Sequence, residues 1–395
     1  MKANPITAFL IGSFCSYFGD ALLLLALPTG IGLATGDIRA TVLMFLVPAF
    51  AILASSLLKN KIKTRLHTAK GDYAMMLAAI GMLEIIIGVV IYFTTEPGWL
   101  ISLGSVFVAL YAFSKEGISR LFYSVQVYRF FCTEKQYRGV VGIDFSLRAL
   151  AYLLSGVTAA WLIATMGWKI VFFIDSATFI VLASLIAYYG QEVPPSRNAG
   201  RHDFSRTSSQ LKRKTGEIKI LITSTTLFSC LFAPYLPYLA HKMDISNADK
   251  NVLLSAGITL PVMVMAHLIG KKTSHSTWLL YLFPFMFFVA GTAFMTLPNY
   301  TTMIPVFITY ALYSHLFPII DYPIRQQLPL EDQLEFNTSV VRYFSTAQAI
   351  SCSIALYVLV MPNFRGILLS LFTLIIIAAT TSIMVHRRSV PGVST

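Results

Sequence analysis

The fold class that this sequence predicts is an all-α polytopic membrane protein, with twelve spanning helices arranged in two six-helix bundles. Three observations predict it. Of the 395 residues, 56% are hydrophobic and only 12% charged, about half the roughly 25% charge of a soluble domain. About a dozen apolar stretches approach the ~20 residues that a helix needs to cross a bilayer core. One long polar stretch, "GQEVPPSRNAGRHDFSRTSSQLKRKTGE", follows the sixth of them and leaves six on each side.

The spans are read at 7–34, 41–58, 73–94, 99–123, 141–163, 168–189, 219–240, 251–270, 277–296, 301–322, 338–360 and 366–386. The expected domains are an N-terminal bundle at 1–189, a basic cytoplasmic linker at 190–218, a C-terminal bundle at 219–388 and a tail at 389–395. The first span is too long for the 7–15-residue apolar core of a secretory signal, and no A-x-A site follows it. The four cysteines are read as packing residues, with no disulfide framework.

The net charge of +12 could suggest a nucleic-acid partner, but its placement argues otherwise. With the N-terminus in the cytoplasm, inner segments hold 21 Lys and Arg and outer segments hold 5, namely Arg39, Lys169, Lys242, Lys250 and Arg365. That is the positive-inside asymmetry, and it places both termini in the cytoplasm. The expected location is the cytoplasmic (inner) membrane, as a monomer in the lipid bilayer with no nucleic-acid partner.

Asp20 interrupts the uncharged run from Ile6 to Leu33. A carboxylate at mid-membrane costs several kcal/mol, so a proton-coupling role is one reading; the other is a carboxylate that caps a neighbouring helix or binds a buried Ser or Lys. Glu84, alone in the third span, is read either as a second coupling acid or as one side of an interhelical hydrogen bond. The fourth span ends "KEGISRL" and the tenth "IDYPIRQ", each with an acid four residues before an arginine. Glu116/Arg120, Asp321/Arg325 and, on the fifth span, Asp144/Arg148 can each meet on one helix face. They are candidate gate ion pairs. Lys115 and Arg342 have no partner at that spacing and are candidates for an anionic group of the substrate. Tyr17, Tyr235, Tyr238 and Tyr310 can line an amphiphilic pocket, and His315 can titrate there, although aromatic stripes on membrane helices are more often packing. The histidines lack metal-ligand spacing, no phosphate loop is present, and neither a cofactor nor a metal is expected.

Three stretches carry a resemblance to a known family. "FGDALLLLALP" (18–28) places Gly19–Asp20 before an aliphatic run ending in proline, and 154–186 contains an Asp-x-x-[ST]-Phe element at Asp175 to Phe179. The third, "SLLKNKIKTR" (56–65), keeps Lys61 and Arg65 of a basic loop pattern but has Ser56, Asn60 and Thr64 in place of its glycine, aspartate and arginine. Together they resemble the major facilitator superfamily, in the branch of macrolide- and siderophore-efflux-like permeases. The resemblance implies an ion-coupled secondary transporter, an antiporter that exports a small amphiphilic or anionic molecule such as a siderophore or antibiotic, with the proton as coupling ion. An importer of the same fold is the alternative. A polytopic membrane enzyme is a second alternative, but it would normally cluster His, Asp or Glu at a membrane face.

Overall fold

The computed structural model describes residues 4–58, 70–123, 126–132, 134–192, 209–232, 279–297, 301–302, 304–306, 308–309, 330–359, 361 and 363–389. Among them there is no strand. The chain divides into two compact units, with described residues 4–192 in the first and 209–389 in the second.

The N-terminal unit holds six long helices, α1 (Pro5–Thr35), α2 (Ile38–Leu57), α3 (Lys70–Phe93), α4 (Pro97–Tyr111), α5 (Glu134–Thr165) and α6 (Val171–Tyr189). Local chemistry sets their ends. Asn4 caps α1 by accepting from the Ile6 amide at 3.0 Å, and Pro5 follows where its missing N–H is not needed. Gly36 closes α1 with a left-handed φ of 67°, and Asp37 at once caps α2 through the Arg39 amide at 2.8 Å. The joint is therefore tight.

Helix α4 continues as a π-helix over Ala112–Tyr123, where the sequence predicts one unbroken α-helical span. A π-turn inserted in a helix is rare and often lies at a functional site, and this one carries Lys115 and Glu116. Gly117 of this segment lies against the Ser55 side chain, and α2 packs along it.

Helices α3 and α6 form a closely fitted antiparallel pair. A Cβ on Gly88 would lie 2.8 Å from Cβ of Phe172, and one on Gly81 would lie 3.1 Å from the Ser176 carbonyl. Small residues allow this approach, and Ser176 Oγ uses it to donate to the Gly81 carbonyl at 2.7 Å. Both ends of the pair are tied by lysines. Lys70 donates to the Gly190 carbonyl at 2.8 Å and Lys169 to the Thr94 carbonyl at 2.6 Å, satisfying helix-terminal carbonyls.

The C-terminal unit contains α7 (Ser209–Phe232), α8 (Leu279–Thr296), α9 (Leu330–Val358) and α10 (Phe364–Ser389). Its core centres on Phe228, whose ring lies 4.3 Å from that of Phe372 and 5.0 Å from that of Phe287. Ser351 Oγ, from α9, donates to the Leu227 carbonyl at 2.9 Å.

Seven helices among the described residues are long and apolar enough to cross a membrane, six of them in the N-terminal unit. Large side chains such as Ile86, Phe93, Trp99, Ile377 and Met384 are exposed on their outer faces, as a lipid solvent requires. The chain is a multi-pass membrane protein. Several helix ends differ from expectation. Helix α5 starts at Glu134 and α9 at Leu330, ahead of the expected starts at 141 and 338, and α7 begins at Ser209, inside the expected linker. Apolar windows register only the part of a helix within hydrocarbon, whereas these helices continue into polar surroundings. Cys15, Cys132 and Cys352 are free thiols.

Candidate functional site

Asp20 is the central residue of α1, fifteen residues from either end, or about 22 Å at 1.5 Å per residue. It is 5% exposed. Two neighbours on the α4 side hold its oxygens: Tyr111 donates to Oδ1 at 2.5 Å, and Lys115 Nζ lies 3.4 Å from Oδ2. Lys115 also donates to Ser16 Oγ at 2.9 Å, one turn earlier on α1. Beneath the ammonium lies the Phe179 ring of α6, 4.3 Å to the centroid, a favourable place for a cation. Asp20 thus has the buried-lysine partner that was its alternative reading. Lys115 has its partner across helices rather than on its own.

Helix α1 crosses α6 at Gly19. A side chain there would collide with the Asp175 carboxylate and with Thr178, and its Cβ would come within 3.1 Å of the Asp175 Cα. Gly19–Asp20 and Asp175, Thr178 and Phe179, the two short patterns of the sequence, therefore meet at one crossing. Asp175 and Glu84 are both fully buried. Thr178 reaches Asp175 Oδ1 at 3.3 Å, but among the described residues no hydrogen-bond partner reaches Asp175 Oδ2 or either oxygen of Glu84. The two carboxyls act directly on each other, and Asp20 and Lys115 act on both. Among the described residues, three buried acids and one ammonium share this apolar interior.

A second polar cluster ties α1 to α5. Asp144 is fully buried and accepts from Ser13 Oγ at 2.5 Å and from Tyr128 at 2.7 Å. Arg148 lies 3.4 Å from Asp144, donates to the Tyr17 hydroxyl and sits 4.0 Å above the Tyr17 ring. The expected Asp144/Arg148 spacing does bring the two together, inside the N-terminal unit. Asp144→Ala strands two buried hydroxyls, so it should cost about 2–4 kcal/mol of stability. Arg148, whose side chain is 35% exposed, should cost about 1 kcal/mol when replaced by Ala. Thermal unfolding of the purified variants checks the order, and equal losses would contradict it.

Of the other expected site residues, Glu116 acts on Asp20 and Lys115 through its charge. Arg342 is exposed on α9, and Glu116 is half-buried on the π-helix. The Arg120 side chain, Tyr235, Tyr238, Tyr310, His315, Asp321 and Arg325 lie outside the described residues, and with them the Glu116/Arg120 and Asp321/Arg325 pairs. So does most of the loop that contains Asn60, Lys61, Thr64 and Arg65. Among the described residues no group of three or more His, Cys, Asp or Glu is arranged to hold a metal. The C-terminal unit has an apolar cavity of about 620 Å³ between α7, α8 and α10, with Ser224, Tyr281 and Thr380 as its polar groups.

Sequence reasoning missed Tyr111 and the part that Asp175 plays. Tyr111 carries no signal among so many aromatics. Asp175 does carry one, since it interrupts an apolar span just as Asp20 does.

No protein-family profile and no curated protein matches the chain. Solved structures do match. A bacterial homologue of the iron transporter ferroportin, in an inward-facing state, has a TM-score of 0.68 at 13% identity, covering 97% of this chain and 98% of that one. A POT family peptide transporter has a TM-score of 0.66 at 11% identity, covering 99% and 98%. The nucleoside transporter NupG has a TM-score of 0.59 at 12% identity, covering 98% and 99%. The chain has the fold of these transporters, that of an all-α polytopic membrane protein of the major facilitator type.

Proposed function

We propose that this protein is a proton-coupled secondary transporter that exports a small amphiphilic or anionic molecule, such as a siderophore or antibiotic, across the cytoplasmic membrane. The observation that carries the reading is the Asp20–Lys115 ion pair at the centre of α1, beside two further buried carboxyls. Burying charge in hydrocarbon is expensive, and intramembrane acids mark ion pathways. A proton on Asp20 removes the charge that holds Lys115, so proton binding and release change which contacts α1 and α4 make. That is the differential interaction a coupled conformational change requires.

The fold supports transport as the class of activity, while the named structures carry a metal ion, peptides and nucleosides, so the cargo is proposed from the chemistry of the chain. The candidate contacts for an amphiphilic anion are the cations Lys115 and Arg342 and the aromatic ring of Tyr17. The excess of Lys and Arg in the segments read as inner supports cytoplasmic termini. A reporter fused after Arg388 that is active only outside the cytoplasm would overturn that sidedness.

Flux into sealed vesicles of the purified protein, with and without a pH gradient, tests the proposal. A transporter of this kind shows uphill, gradient-driven flux, a channel only downhill flux, and an enzyme turnover without flux. Siderophore in the spent medium of a deletion strain grown on limiting iron decides the direction: less than in the parent supports export, and an undiminished level with impaired uptake supports import.

A further inference from the structure

Among the described residues, the inner faces of α1, α3, α4 and α6 hold three buried carboxyls and one ammonium, with the half-buried Glu116 at their margin. Asp20 is matched by Lys115 and Tyr111. Glu84 and Asp175 face each other without a cation of their own, fully buried, and when both are ionised three of their four oxygens have no hydrogen-bond donor among the described residues. A carboxylate in that condition is too costly to keep, so the pair must carry positive charge in some form. Among the described residues the surrounding groups are few. Tyr111 and Lys115 face the acids from α4 and its π extension, with Glu116 further along it; Asp20 and Ser16 come from α1, Thr178 from α6, and Tyr73 from α3, bonded to Ser119 at 3.3 Å.

Within the buried set of Asp20, Glu84, Asp175 and Lys115, one ammonium balances one carboxylate, so the neutral set holds two protons on its three carboxyls. Lys115 already rests on Phe179, one helical turn from Asp175 on the same face of α6. It is also the end of a long flexible chain.

We propose that Lys115 alternates between Asp20 and the Glu84/Asp175 pair, and that each passage of the ammonium sends one proton the other way. With Lys115 on Asp20, both Glu84 and Asp175 are neutral acids. When Lys115 turns to Asp175, the O–H bond on Asp175 breaks and one forms on Asp20; Lys115 keeps its three protons, and Glu84 keeps its own, donating to the new carboxylate. Nothing is oxidised and the charge is unchanged. The use of this exchange in transport rests on the proposed function, whereas its chemistry does not.

Dicyclohexylcarbodiimide reacts with buried carboxyls in their protonated form, and the adducts are mapped by mass spectrometry on the intact chain in lipid vesicles. The expected pattern in the wild-type protein is adduct on Glu84, on Asp175 or on both, with less than one-tenth as much on Asp20. Lys115→Ala should raise labelling of Asp20 at least tenfold. Glu84→Gln, which replaces an acid already neutral, should insert within twofold of the wild-type yield and still leave Asp20 protected. Equal labelling of all three acids, labelling of Asp20 alone, or no adduct on Glu84 and Asp175 would each overturn the proposal. If Lys115→Ala does not fold, the wild-type and Glu84→Gln maps decide alone. Flux that ignores a pH gradient while the labelling pattern holds would strike the transport reading only, and coupled flux with the wrong pattern would strike the exchange only.

Discussion

Asp20→Asn should abolish gradient-driven flux while leaving an inserted, folded protein. The amide keeps the size of the carboxylate and can still accept from Tyr111, but it cannot gain and lose a proton. A neutral amide is also cheaper in lipid than a carboxylate, and Asp175 is placed to receive the displaced ammonium. Substrate binding and downhill exchange should survive, because neither moves a net proton. Asp20→Glu should keep part of the activity with a shifted pH profile. The measurement is flux per inserted molecule across about pH 5.5 to 8.5, a range that spans the perturbed values of buried carboxyls. Wild-type pH dependence in Asp20→Asn would end the coupling role. A purely structural Asp20 would instead lower the yield of Asn and Glu variants alike, with flux per folded molecule unchanged.

Lys115→Ala should be among the most destabilising single changes in the N-terminal unit. It removes the ammonium 3.4 Å from Asp20, the bond to Ser16 and the contact over Phe179. Taking away one partner of a buried pair costs about 3–5 kcal/mol, here because Asp20 loses its counter-ion and must take up a proton in the interior. The double variant Asp20→Asn/Lys115→Ala removes both charges and should recover most of that loss, though not transport. A double-mutant cycle on unfolding in mild detergent reads the coupling, expected at about 2–3 kcal/mol. Additive losses would show that the two side chains are neighbours without being partners.

Hydropathy made the helical spans of the N-terminal unit legible because lipid imposes it over every turn within the hydrocarbon. Helix ends were less legible: Glu134 and Ser209 begin helices in water-facing surroundings, where an apolar window has nothing to detect. The site was legible one helix at a time. A lone acid in an apolar run singles out Asp20 and Glu84, and the spacing of Asp144 and Arg148 predicts their contact, since four residues along a helix is a fixed geometry. The Asp20–Lys115 pair spans 95 positions, and no local period encodes which helix faces which. Gly19 holds the clearest clue in retrospect, because its missing side chain is what admits Asp175.

Helix α1 presents two polar rows. Ser13 and Tyr17 face α5, and Ser16 and Asp20 face α4. With 3.6 residues to a turn, rows offset by three residues stand about 60° apart around the axis. The helix therefore resembles a cam with two lobes, each seated in a different follower. Turning it about its own axis cannot unseat the lysine lobe without also dragging the arginine lobe against α5. A rotation of α1 that parts Asp20 from Lys115 would therefore also move Tyr17 against Arg148.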